Sequence, residues 1–188
     1  TVTIPDHQGP LSAFSSSFIH GHASLDAIRA TLNFEQLKLD PKSAVVGMGY
    51  SGGAIAGGWA ASLLGSYATE LNVVGWSIGG TPSNVTGTFY GLDGSLFSGF
   101  SVAGVAGIVD SYPEVNDYVG SVITPAGNAA LQFTREHCMG DIVVGLQNVN
   151  LTGKDFVKNE KNFLTDKRIA PILDHLTMGT DSKLTPRV

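Results

Sequence analysis

One cysteine, Cys138, is present in 188 residues, so no disulfide can close within the sequence. In a reducing compartment such a thiol is an inert buried group. In an oxidising one it is an odd cysteine that needs a partner elsewhere. Charge is also scarce. Lys, Arg, Asp and Glu make up 14% of the residues, and the net charge is −5. That balance offers no basic surface to a nucleic acid. No apolar run reaches membrane-spanning length, and the most apolar stretch, residues 97–109, is short and broken by glycine. There is no phosphate-cradling loop, no dinucleotide fingerprint and no Cys/His cluster at metal-ligand spacing. No metal or organic cofactor is therefore implied. The opening Thr1-Val2-Thr3-Ile4 reads as a strand rather than a secretion signal.

Glycine and apolar residues are plentiful, with 24 of the former and 43% of the latter, enough to bury the core of one domain. The chain is organised around Gly49-Tyr50-Ser51-Gly52-Gly53. An apolar run, Ala44-Val45-Val46-Gly47-Met48, precedes it, and a small-residue stretch over 54–68 follows. Strand, sharp turn and helix with a serine at the turn is the nucleophile elbow of an α/β-hydrolase. Glycines two before and two after Ser51 free the turn of side chains. The free first amides of the helix can then hold an oxyanion. A second match, Gly75-Trp76-Ser77-Ile78-Gly79, runs into Gly80-Thr81-Pro82 and Asn84-Val85-Thr86-Gly87, which read as turn and loop rather than a helix start. Ser77 is expected to be a polar residue at a strand end.

In chain order, Pro5 ends the first strand and residues 6–10 form a loop. Phe14, Phe18, Leu25, Ile28 and Leu32 fall on one face of a helix that Gly21 interrupts. Strands are expected over 44–48 and 71–75, with the elbow helix over 53–67. This gives β-α-β-α-β and a parallel sheet. Beyond Gly80 the pattern turns helical. Pro113 opens one helix with Ser111 ahead as a cap, Thr124-Pro125 opens another reaching Cys138, and residues 171–178 form a third stopped by Gly179. The expected fold class is α/β: a partial α/β-hydrolase core over 1–80, a mostly helical cap over 81–178 above the strand ends, and a tail over 179–188. An ordinary helical second layer is the alternative to a cap.

A serine nucleophile needs a base, and the base an orienting carboxylate. His137 lies in the expected cap helix next to Cys138, and His175 adjoins Asp174 in a short helix where neighbouring side chains diverge. Asp6-His7 follows a strand but precedes the serine, against the order of this fold. His20 and His22 read as structural. No convincing partner is left, and three strands are too few for the fold. The expectation is a piece of a larger enzyme. Two sequons, at Asn84 and Asn150, favour a secreted glycoprotein.

The stretches Asp6-His7-Gln8-Gly9, Gly49-Tyr50-Ser51-Gly52-Gly53-Ala54, Tyr67-Ala68-Thr69-Glu70-Leu71-Asn72 and Gly79-Gly80-Thr81-Pro82 resemble the fungal secretory lipase family. The resemblance continues from Phe97 through Gly107 and to Cys138, and Ile169-Ala170-Pro171-Ile172-Leu173 still looks like the family's cap. It implies an extracellular lipase or carboxylesterase that works on fatty-acyl esters at an oil–water interface. Ser51 would be the nucleophile and Gly52 an oxyanion donor. The second oxyanion residue would lie before Thr1, and the acid and histidine after Val188. The segment beyond Gly80 would be a cap with an acyl channel, and Cys138 would pair with a cysteine upstream of Thr1. Asp6, His7, Tyr50, Trp76, Phe97 and Phe100 are candidate pocket residues. Trp76 stands where the family often has a smaller side chain, which leaves chain-length preference open. Another hydrolase of this fold, a peptidase or acyltransferase, and a binding module without catalysis are the competing readings.

Overall fold

The computed structural model describes residues 1–158 and 163–180. They divide into two compact units. One comprises Thr1–Gly9, Ser17–Ser83 and the described residues from Met178; the other comprises Pro10–Ser16 and Asn84–Thr177.

The first unit is a β-α-β core with a helix packed outside it. Strands β1 (Val45–Tyr50) and β2 (Val73–Gly79) pair in parallel, with Gly47 opposite Trp76 and Tyr50 opposite Gly79. Helix α2 (Gly52–Tyr67) is the crossover between them, and α1 (Ser17–Leu32) packs on α2. Ten of the sixteen residues of α2 are buried, mostly Ala, Gly and Leu. Small side chains bring the layers close. A Cβ on Gly21 of α1 would stand 2.9 Å from the Trp59 backbone. Gly21 is thus what allows α1 and α2 to meet, not a tolerated interruption. Leu25, Ala60, Leu63, Leu64 and Ala68 fill the seam, and full burial of each leucine stabilises by about 1.5–3 kcal/mol.

Among the described residues only one face of this sheet is covered. Gly47 and Gly49 turn toward the α2 side, where a Cβ on Gly49 would meet the Gly53 carbonyl oxygen at 2.2 Å. The alternate residues Val46, Met48 and Tyr50 are 67%, 85% and 77% exposed. A parallel sheet normally carries layers on both faces.

The sequence expectations need several corrections here. Thr1-Val2-Thr3-Ile4 is not a strand, because it joins no ladder; Thr3 Oγ1 meets Thr31 Oγ1 at 2.7 Å instead. The described core accordingly has two strands, not three, and each runs later than its apolar residues suggested. Helix α1 starts at Ser17, after a break at Ser15, whose φ of 68° no helix accommodates. Ser77 sits inside β2, opposite Met48, rather than at its end.

The second unit is helical, with one isolated antiparallel bridge, Ile123 to Val157. Its helices are α3 (Val85–Leu92), α4 (Ser98–Ser111), α5 (Pro113–Val122), α6 (Pro125–Glu136), α7 (Met139–Gly145) and α8 (Ala170–His175). Helix α4 is the axis, buried from Ser98 to Val109 except at Phe100 and packed by α3, α5, α6 and α7. Gly107 lies against the Phe14 backbone, where a Cβ would approach its carbonyl oxygen to 2.2 Å. Helix α3 overturns the loop expected at Asn84-Val85-Thr86-Gly87. The Asn84 side chain caps it by accepting the Gly87 N–H at 2.7 Å. Thr124 caps α6 in the same way through the Gly127 N–H at 3.0 Å, as its sequence foretold. Ser111 does not cap α5; its hydroxyl donates back to the Gly107 carbonyl at 2.6 Å. Helix α6 ends at Glu136, short of Cys138, and α8 stops at His175, ahead of Gly179. Of the expected tail 179–188, residues 181–188 lie outside the described residues. No helix among the described residues is long and apolar enough to cross a membrane.

Candidate active site

Ser51 stands between the last residue of β1 and the first of α2, with φ 53° and ψ −114°. A non-glycine residue pays to hold this backbone, and such strain is found where a functional side chain must be aimed. Three bonds fix it. The Ser51 N–H donates to the Gly79 carbonyl at 3.0 Å, and the Ser51 carbonyl accepts from Ala54 N at 2.9 Å and Ile55 N at 3.0 Å. The side chain is exposed, and its hydroxyl has no hydrogen-bond partner among the described residues.

The flanking glycines are not equivalent. Gly49 is required by space, since any side chain there would strike the backbone of Gly53 and Ala54. A Cβ on Gly53 would meet nothing within 4 Å. The amides of Gly52 and Gly53 have no acceptor among the described residues. They are free donors at the positive end of a 16-residue helix. The sequence pointed to the first amides of the helix and the resemblance to Gly52; Gly53 supplies a second such orphan donor.

Tyr50 lies over the neighbouring strand end, where a Cβ on Gly80 would come 2.9 Å from its Cζ. With Met48, Gly49, Ser77, Ile78 and Gly79 it lines a groove of about 420 Å³ along the ends of β1 and β2. Met48, Ile78 and Gly79 were not foreseen, and the parallel register is what brings them there. His7 and Trp76 line a different groove of the same unit, about 680 Å³, along β1 and α1. The Trp76 indole lies flat against Gly47, whose Cβ would fall 2.1 Å from the ring. His7 packs edge-on against His20 at 4.9 Å, and its Nε2 is buried without a partner among the described residues. Asp6 lines neither groove; it accepts the Gly9 N–H at 3.1 Å. Phe97 and Phe100 belong to the second unit, Phe97 half-exposed ahead of α4 and Phe100 within it.

No histidine serves Ser51 among the described residues. His20 is fully buried in α1. His22 and His137 each hold the carbonyl one turn back, that of Phe18 at 2.8 Å and that of Phe133 at 3.0 Å. His175 ends α8 in the second unit. Cys138 is an exposed free thiol ahead of α7, which excludes the buried-thiol reading. No disulfide forms within this chain.

The secretory lipase family's sequence profile matches residues 1–188. The chain belongs to the secretory lipase family. It is 44% identical over 187 residues to the secreted triacylglycerol lipase LIP1 of Malassezia furfur, covering 100% of this chain and 38% of that protein. To LIP4 of Malassezia globosa it is 46% identical over 185 residues, covering 98% and 41%. Among solved structures it is similar to Candida antarctica lipase A in its closed state, with TM-score 0.86 and 38% identity over 94% of this chain and 41% of that one. The fold is therefore that of part of an α/β-hydrolase with added helices. The chain spans about two fifths of the length of the relatives it matches.

Proposed function

We propose that this chain is the serine-bearing part of an extracellular lipase that hydrolyses fatty-acyl esters such as triacylglycerols. The strained, exposed Ser51 above free helix amides carries this reading. Two similar proteins are named secreted triacylglycerol lipases, which supports both the substrate class and secretion.

In the reaction the Ser51 hydroxyl oxygen attacks the ester carbonyl and its proton leaves to a base. The carbonyl oxygen becomes an oxyanion beside the Gly52 N–H, a donor typically worth about 3 kcal/mol to the transition state. Collapse expels the alcohol and leaves an acyl group on Ser51, which water or a second alcohol removes. The base and its carboxylate come from outside the described residues, within which the Ser51 hydroxyl has no partner. The bare Met48–Tyr50 face is consistent with further core layers. The helical unit is the family's cap in this reading, and Phe97 and Phe100 are its candidate acyl-contacting side chains. Tyr50 and Trp76 shape the core side of binding.

A fluorophosphonate probe tests this. In the whole enzyme it should label Ser51, and Ser51→Ala should abolish both labelling and triacylglycerol hydrolysis. The isolated chain should remain unlabelled, since no histidine is bonded to the serine among its described residues. Labelling of another serine in the whole enzyme would refute the assignment.

A further inference from the structure

Two sequons lie in the helical unit, and the structure treats them differently. Asn84 is built into a helix start. Its Oδ1 accepts the Gly87 N–H at 2.7 Å, its carbonyl accepts the Thr88 N–H at 2.9 Å, and Thr86 lies inside the first turn of α3. No hydrogen bond joins Thr86 to the Asn84 carboxamide among the described residues.

Asn150 sits in an exposed loop after α7. Its Oδ1 accepts the backbone N–H of Thr152 at 3.1 Å, and the Thr152 hydroxyl oxygen lies 3.1 Å from the same atom. The hydroxyl that defines the sequon therefore stands against the carboxamide. The stretch is held from behind. Leu151 is fully buried, and Asp93 accepts from Leu151 N at 2.5 Å and Thr152 Oγ1 at 2.7 Å. Gly153 leaves room under the carboxamide, since a Cβ there would stand 3.1 Å from Asn150 Cγ. The Asn150 Nδ2 has no partner among the described residues. A substituent on that nitrogen keeps Oδ1 free to accept, so the turn survives modification.

We propose that Asn150, and not Asn84, carries an N-linked glycan, an assignment that rests on the secretory reading above. In the transfer, Nδ2 forms a bond to C1 of an oligosaccharide carried on a polyprenyl diphosphate. The sugar–phosphate C–O bond breaks, the diphosphate leaves with the electron pair, and Nδ2 loses one proton.

The test expresses the whole protein in a eukaryotic host behind an added secretion leader, so that it passes the glycosylation machinery whatever its natural route. Peptide mass mapping before and after amidase deglycosylation reads the site. The expected result is a glycan at residue 150 in the parent and in Asn84→Asp, and none in Asn150→Asp. Both aspartates keep the acceptor oxygen of their turn or cap, so secretion should persist in each. An unglycosylated secreted parent, or a glycan that survives Asn150→Asp, overturns the proposal. The natural gene without the added leader separately tests the secretory reading: its absence from the medium counts against that reading and leaves the mapped site standing.

Discussion

The amide of Ser51 donates to the carbonyl of Gly79 at 3.0 Å, one step beyond the last residue of β1. The sheet thus continues its ladder into the turn and holds Ser51 at φ 53° while α2 begins. The turn is tight enough that Gly49 faces Gly53, with 2.2 Å between a hypothetical Cβ and the Gly53 oxygen. The obstacle is backbone on both sides, which cannot rotate away. Gly49→Ala should destabilise by about 3 kcal/mol, the upper part of the overpacking range. It should also displace the hydroxyl. Denaturant unfolding and fluorophosphonate labelling of the whole enzyme check both effects; a variant that labels at the parent rate would show that the turn adapts.

Gly53→Ala should behave oppositely. A Cβ there meets nothing within 4 Å, and Gly53 is already helical. Replacing a helical glycine by alanine gains up to about 1 kcal/mol. Unchanged or slightly raised stability is expected. A clear loss on denaturant unfolding would mean that Gly53 is needed for space after all, as its place in the motif first suggested.

The elbow was legible because strand, glycine and serine chemistry are all local. β1, α2, the Thr124 cap and the helical character of the second unit follow from the same short-range signals. What failed was set at a distance. Thr1-Val2-Thr3-Ile4 has the β-branched composition of a strand, yet a strand exists only with a partner ladder. Asn84 reads as a loop residue between Gly80-Thr81-Pro82 and Gly87, yet it is a helix cap, because cap and turn use the same side chains. Gly21 looked like a cost in α1 until Trp59 was placed against it. The groove at the strand ends depends on the register that sets Met48 against Ser77, which no single stretch encodes.

Asp93 offers a test of the second unit. Its carboxylate accepts from Leu151 N, Thr152 N and Thr152 Oγ1, joining residues 58 and 59 positions apart. Asp93→Ala leaves the part-buried Leu151 amide without an acceptor and the Thr152 amide and hydroxyl with Asn150 Oδ1 alone. Hydrogen bonds to a charged group contribute about 1.5–3 kcal/mol each, and they are not additive. A loss of about 2–3 kcal/mol is expected, with Asp93→Asn intermediate because one oxygen still accepts. Hydrogen exchange at the Leu151 amide should accelerate in both variants. An unchanged exchange rate would show that burial of Leu151, rather than Asp93, holds the loop.

Asp166 gives the pH dependence. Arg168 bonds it twice, Nε to Oδ1 at 2.7 Å and Nη2 to Oδ2 at 2.8 Å, and the Arg168 amide adds a third bond at 3.0 Å. These bonds favour the carboxylate and hold its pKa down to about 2, against about 3.9 for a free aspartate. A group whose folded value is depressed contributes stability above its unfolded value and loses it as pH falls through the folded one. The contribution is therefore complete at neutral pH and disappears between about pH 4 and pH 2. Arg168→Met removes both side-chain bonds and the contact of the guanidinium with the Tyr118 ring at 4.3 Å. Carbon-detected NMR titration should then find the Asp166 carboxyl returned most of the way toward the free value, the amide bond alone remaining. The stability gap between parent and variant should narrow as the solution is acidified through that window. A gap independent of pH would assign the effect of Arg168 to its packing on Tyr118 instead.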